Sequence, residues 1–327
     1  MEKFTKTALV GMGAATAAMA ALTGGVYALS SLLLHLALDR QMPPLMEKNR
    51  RFLTGESPEH LTLMAQVDRA ATQLHGCGCV TVELTARDGT PLVGHWYENP
   101  NAKRIVVAMH GWRSRWDQDF GLITPFLHEN GCSVLYAEQR GQNASGGSHM
   151  TFGLLERYDC VDWVNWAVSH TAPNLPVYLA GISMGATTVL MAGGLDLPDC
   201  VKGIVADCGF TSPHAIWKHV AEQNLHLNYD LHQSWVDRLC RRRIHMGAED
   251  ASTLDAMAVC KVPVLLVHGS DDSFVPVEMT YENYKACTAP KTLVIVPGAA
   301  HGLSYLTEPE RYQQALLSFW QKNDPAN

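Results

Sequence analysis

The chain has 327 residues, 47% hydrophobic and 17% charged, which suits one large α/β domain with additions. A formal net charge of −7 argues against a nucleic-acid-binding surface. The nine cysteines are odd in number and scattered, so they make no disulfide framework and favour a reducing or anaerobic setting.

Between Ala8 and Leu38 the only ionisable side chains are Tyr27 and His35. A helix needs about 20 such residues to cross a bilayer. The run predicts an N-terminal membrane anchor over residues 1–38. A secretory signal peptide is the competing reading, because Ala15-Thr16-Ala17 and Ala18-Met19-Ala20 resemble cleavage sites. Apolar sequence continues past both, through Leu32-Leu33-Leu34, and favours the anchor. Lys3 and Lys6 favour an inside N-terminus and hence an extracytoplasmic main domain. Arg40, Lys48, Arg50 and Arg51 weaken that bias, and the cysteine content pulls against it.

Met42-Pro43-Pro44 breaks the helix, and residues 39–75 read as a polar, helical connector with a turn at Gly55-Glu56-Ser57-Pro58. Cys77-Gly78-Cys79 has no second pair at zinc spacing, so no metal site is read there. From Val80 the period becomes two, with a turn at Asp88-Gly89 and a return over Leu92 to Tyr97. Continuous apolar strands follow at Ile105 to Met109, Cys132 to Ala137, Val177 to Ile182, Val201 to Ala206, Val262 to Val267 and Thr292 to Val296. Helical stretches separate them, among them Glu156 to His170 and a last one over Pro309 to Lys322. Such alternation predicts a mostly parallel sheet with helices on both faces. Function gathers at the carboxyl ends of its strands, where His110, Ser183, Asp272 and His301 fall.

About fifty residues, 210–259, carry no strand-like run and read as a small helical lid. Trp217, Leu225, Leu227, Trp235, Leu239 and Met246 are its candidate inward residues, with Trp217 and Trp235 as candidate substrate contacts. Its histidines form no metal-ligand signature, and Arg241-Arg242-Arg243 reads as a solvated face.

Gly181-Ile182-Ser183-Met184-Gly185 joins a strand to a helix with G-x-S-x-G spacing, the form of a nucleophile elbow. The turn must be sharp to lift the Ser183 hydroxyl off the backbone, and both glycines leave room for neighbouring main chain. Ser183, Asp272 and His301 occur in the α/β-hydrolase order. With His110-Gly111, the run His268-Gly269-Ser270-Asp271-Asp272-Ser273-Phe274-Val275-Pro276, and Ala300-His301-Gly302, the chain resembles the α/β-hydrolase superfamily from about Cys79 onward. Within it, the chain looks similar to membrane-anchored bacterial hydrolases of the serine-aminopeptidase or Bem46-like type. Glu138-Gln139-Arg140 departs from many relatives, which have Asp before the arginine.

The resemblance implies a hydrolase domain over residues 76–327, with Ser183 as nucleophile, His301 as general base and Asp272 as orienting acid. It implies an oxyanion hole from the Trp112 and Met184 N–H groups. Arg113, beside that loop, is a further candidate for holding substrate. The expected activity is cleavage of an ester, thioester or amide through an acyl-enzyme, with no cofactor and no metal. The expected partners are a small ester or short peptide and the membrane. A small-peptide serine peptidase and a catalytically silent, membrane-tethered binding module are the alternatives. Every catalytic candidate lies beyond Cys79, so removing residues through Leu38 is expected to leave a soluble, active enzyme.

Overall fold

A computed structural model describes residues 21–41, 58–171 and 174–325. The expected cleavage sites, the Met42-Pro43-Pro44 break and the turn at Gly55-Glu56-Ser57 lie outside these described residues. Helix α1, Ala21–Leu38, is followed by α2, Pro58–His75. Strands β1 (Val80–Thr85) and β2 (Pro91–Tyr97) form a hairpin. Then come β3 (Arg104–Met109), α3 (Trp116–Phe120), α4 (Thr124–Glu129), β4 (Cys132–Ala137) and α5 (Glu156–Ser169). Strand β5 (Val177–Ile182) leads into α6 (Met184–Ala192) and β6 (Val201–Asp207).

The sheet has eight strands in the order β1-β2-β4-β3-β5-β6, continuing to β7 (Val264–Gly269) and β8 (Lys291–Val296). The hairpin β1–β2 joins antiparallel, and β4, β3, β5, β6, β7 and β8 run parallel. Strands β3, β4 and β7 are buried along their whole length, which is why their sequences are continuously apolar. Edge strand β1 instead alternates. One face of the sheet carries α5 and α6, through Trp163, Val164, Val189 and Leu190. The other carries α3, α4 and the last helix α12 (Pro309–Asn323), through Phe120, Phe126, Leu316, Phe319 and Trp320. Residues 316, 319 and 320 form one helical stripe. Trp320→Ala would remove a side chain only 2% exposed and cost about 3–5 kcal/mol.

The insertion between β6 and β7 is helical, as expected: α7 (Pro213–His219), a π-helical turn (Val220–Asn224), a 3-10 turn (Tyr229–Leu231), α8 (Gln233–Ile244) and α9 (Thr253–Val259). Its buried face is Ile216, Tyr229, Val236, Leu239, Cys240 and Ile244. Leu225 is a correction: it is 47% exposed. It directly follows the π-helical turn, whose extra residue per turn rotates the chain out of phase with the apolar stripe. Helices α10 (Val277–Ala286) and α11 (Ser304–Thr307) flank β8.

Helix α1 is long and apolar enough to cross a membrane, with mean hydropathy 1.6 over 18 residues; a signal sequence meets the same test. Its last turns behave differently. Ser30, Leu34 and Leu38, four residues apart on one face, are buried. Leu34 and Leu38 pack in one cluster with Met150, Phe152, Phe210, Ile216 and Val236. Ser30 Oγ meets His232 Nδ1 of the insertion at 2.9 Å. Beyond the helix, Asp39 bridges to His149, and the Arg40 N–H donates to Ser148 O at 2.9 Å. The segment 30–40 is therefore packed into the α/β body.

Candidate active site

Strand β5 delivers the central residue. Ser183 has φ +56° and ψ −119°, a left-handed conformation that an L residue adopts only under strain of about 1–3 kcal/mol. The turn is held by close backbone packing. A Cβ on Gly181 would collide with the Gly185 carbonyl, and one on Gly185 would collide with the Met109 carbonyl of β3. Hence only glycine fits at either position. The Ser183 N–H donates to Asp207 O at the end of β6, at 2.9 Å.

Strands β7 and β8 bring the other two groups. His301 Nδ1 lies 2.6 Å from Asp272 Oδ2, and His301 Nε2 lies 2.9 Å from Ser183 Oγ. A carboxylate only accepts, so Nδ1 carries the proton and Nε2 is free to accept from the serine hydroxyl. The Asp272 side chain has no exposed surface, and that of His301 is 26% exposed. Burial works to raise the Asp272 pKa, but hydrogen bonds from His268 and His301 outweigh it and hold it below the usual carboxylate range.

Asp272 is also fixed by its neighbours. Its Oδ1 accepts the N–H groups of Phe274 and Val275, each at 2.9 Å. Its Oδ2 takes a second imidazole, His268 Nε2, at 3.1 Å. That nitrogen also faces Val275 O at 2.9 Å, so it carries the proton, and His268 Nδ1 accepts from Thr280 Oγ1 at 2.6 Å. Sequence reading treated His268 only as part of the turn. The signal was its four-residue spacing from Asp272. Asp271 points outward, where its Oδ1 accepts from the Ser270 hydroxyl at 2.6 Å.

The loop after β3 faces Ser183. The Gly111 N–H donates to Asp119 Oδ2 at 2.6 Å, and the Arg113 N–H to Gln142 Oε1 at 2.6 Å. The Trp112 N–H lies between these two tethered groups. Ser114 Oγ donates to Asp119 Oδ1 at 2.5 Å. Asp119 and Gln142 thus position the loop, a role their isolated places in the sequence did not announce. Met184 opens α6, so its N–H has no intrahelical acceptor. In the Glu138-Gln139-Arg140 segment, the Gln139 amide bonds His110 O and Thr188 Oγ1, while Arg140 forks onto Asp159. The departure from the family pattern is absorbed locally.

Three expected substrate contacts lie elsewhere. The Arg113 guanidinium donates to the carbonyls of Leu36, Asp39 and Arg40, so it grips the end of α1. Trp217 packs edge-on against Phe152, with centroids 5.3 Å apart. Trp235 packs edge-on against Tyr27 of α1 at 5.2 Å. None of the three lines the cavity at Ser183. Trp235 is held by a side chain of α1, and Arg113 by carbonyls at and just beyond its end.

The sequence model of the prolyl oligopeptidase family matches residues 118–324. The chain belongs to the prolyl oligopeptidase family. This family member is 28% identical to the uncharacterized protein YqkD of Bacillus subtilis over 228 residues, covering 68% of this chain and 72% of the relative. Its fold is similar to that of the esterase Pf2001 of Pyrococcus furiosus, with TM-score 0.62 and 22% identity over 77% of this chain and 93% of the other. It is also similar to a puromycin-hydrolyzing peptidase of Mycobacterium tuberculosis, with TM-score 0.59 and 18% identity over 76% of this chain and 40% of the other. The prolyl oligopeptidase-family chain is thus a serine hydrolase of the α/β-hydrolase superfamily.

Proposed function

We propose that the chain cleaves esters through an acyl-enzyme on Ser183. The observation that carries this is the line Ser183 Oγ, His301 Nε2, His301 Nδ1, Asp272 Oδ2, with contacts of 2.9 and 2.6 Å at its two ends. Ser183 Oγ attacks the carbonyl carbon as its proton passes to His301 Nε2. The carbonyl oxygen becomes an oxyanion, received by the Trp112 and Met184 N–H groups. The tetrahedral adduct collapses, the bond to the leaving oxygen breaks, and His301 returns the proton to it. Water, deprotonated by the same imidazole, then releases the acid and restores the serine. Asp272 keeps His301 in the required tautomer and stabilises its protonated form throughout.

The family match keeps a second reading in view, cleavage of small peptides by the same residues. A panel of p-nitrophenyl esters against aminoacyl p-nitroanilides tests the choice. Faster turnover of the anilides would favour the peptidase. Failure of both classes, with no fluorophosphonate labelling of Ser183, would leave a membrane-tethered binding module.

For organisation, we propose an anchor, a helical connector over 39–75 and a hydrolase domain over 76–327, with residues 210–259 as its lid. The apolar run from Ala8 to Leu38 exceeds the ~20 residues a bilayer needs by about ten. Segment 30–38 packs on the hydrolase body, and the residues before it remain to span the membrane.

A further inference from the structure

A cavity of about 330 Å³ begins at Ser183 and His301 and follows one face of the sheet. Tyr178, Ala180 and Ile182 floor it. They alternate along β5, so they share a face and span about 13 Å at ~3.3 Å per residue. Leu316 of α12 and Ile123, just before α4, form a facing wall, and Met64 and Val67 of α2 contribute another. Helix α2 precedes the region matched by the family model. Among the described residues, none from the insertion 210–259 takes part.

We propose that this cavity is an acyl pocket for straight, apolar chains, so that the substrates are esters of medium-chain carboxylic acids. The inference rests on the ester-hydrolase reading of Ser183 and deepens it. The part of a substrate that stays on Ser183 after the leaving group departs is the part that a cavity beginning at that serine retains. The chemistry of the walls selects its class. Among the described residues, no lysine or arginine lines the cavity, so a substrate carboxylate finds no lysine or arginine counter-charge there. Two carboxyl groups, Asp119 and Asp207, do line it, but both are engaged within the protein. Asp119 accepts from Gly111 and Ser114, and Asp207 Oδ1 accepts from the Ser304 hydroxyl at 2.8 Å. An ammonium group would have to be buried against carboxyls already in use, which is costly. Methylene groups meet no such cost. A volume of 330 Å³ lies at the small end of ligand pockets, which suits one chain and no bulky ring system.

The test uses the purified full chain and p-nitrophenyl esters from acetate to dodecanoate, beside acetate esters of alcohols of rising length. The expected result is a kcat/KM that climbs about fourfold per acyl methylene, equivalent to ~0.8 kcal/mol, up to an optimum. Lengthening the alcohol should give no comparable climb. Val67→Trp, at a half-buried position, should move the optimum to shorter acyl chains; Ile123→Trp is a second variant on the facing wall. A profile that is flat or falls from acetate onward overturns the acyl pocket while leaving the ester hydrolase intact. A climb with alcohol length alone overturns it too, by assigning the cavity to the leaving group. No turnover of any ester, with Ser183 unlabelled by fluorophosphonate, overturns the hydrolase reading itself and the pocket with it.

Discussion

The indole N–H of Trp112 donates to the carbonyl oxygen of Ala37 at 2.8 Å. The loop facing Ser183 is thereby tied to the last turn of the N-terminal helix. Arg113, held at φ +52°, adds its bonds to Leu36, Asp39 and Arg40. These contacts argue against the expectation that residues through Leu38 are dispensable. Deleting residues 1–38 exposes the surface that Leu34 and Leu38 cover and removes the bonds of Trp112 to Ala37 and of Arg113 to Leu36. Each leucine contributes about 1.5–3 kcal/mol by burial. A chain starting at Ser30 should keep activity and Tm near those of the full chain, whereas one starting at Asp39 should lose several degrees and most of its kcat. Equal Tm and kcat for the two truncations would refute the tether.

Asp272 and Asp271 separate cleanly. The first is closed in by His301, His268 and two N–H groups; the second faces solvent with Ser270. Loss of the orienting acid costs on the order of 10⁴ in kcat in the serine-protease triad. Asp272→Asn should approach that loss with the fold retained. Asp271→Asn should stay within about tenfold of the parent on the same scale. Steady-state kinetics on a p-nitrophenyl ester decide it, and the reverse pattern would move the assignment by one residue.

Much of this was legible in the sequence, for physical reasons. Strands β3 to β7 lie inside the sheet and are largely buried, so their apolar runs are nearly continuous and their ends are marked by glycine or polar residues. Ser183, Asp272 and His301 stand at strand ends, and the elbow needs two glycines that nothing else replaces. The rest was less visible because it depends on contacts distant in sequence. His268 reaches Asp272 only once β7 and its loop are in place. Nothing local marks Arg113 or Trp235 as partners of α1, since an apolar helix reads as membrane-spanning whether it docks or not. Leu225, read as an inward residue of short helices, instead follows a π-helical turn and is exposed.

Asp207 predicts a pH effect. Burial pushes its carboxyl from the ordinary 3.8 up to about 6, against the opposing bond from Ser304. Between these values the folded chain keeps a proton that the unfolded chain has released. This group therefore costs stability as pH rises from about 4 to 6, and the cost persists above that window, amounting to at most ~3 kcal/mol. Asp207→Asn keeps an oxygen for the Ser304 hydroxyl and removes the titration. Relative to the parent, the variant should gain stability across that window in denaturant melts. A difference that stays constant from pH 4 to 7 would show that Asp207 does not titrate there.

Gly185→Ala should be among the most damaging small substitutions in the chain. The added methyl meets the Met109 carbonyl, a backbone atom in a buried strand that has no rotamer to yield. A loss of several kcal/mol in stability or a failure to fold is expected, in line with overpacking of ~1–3 kcal/mol or more. Gly298→Ala, where the Cβ meets nothing within 4 Å, is the comparison for a glycine at positive φ without crowding. Similar Tm losses for the two would remove crowding as the reason for glycine at the elbow.

The most direct measurement is the site and stoichiometry of covalent capture. Fluorophosphonate labelling of the full-length chain, followed by peptide mapping, should place one adduct per chain on Ser183. Ser183→Ala should abolish the adduct, and His301→Ala should slow its formation by orders of magnitude while leaving Tm near the parent's. An adduct on another residue, or undiminished labelling of Ser183→Ala, would contradict the account.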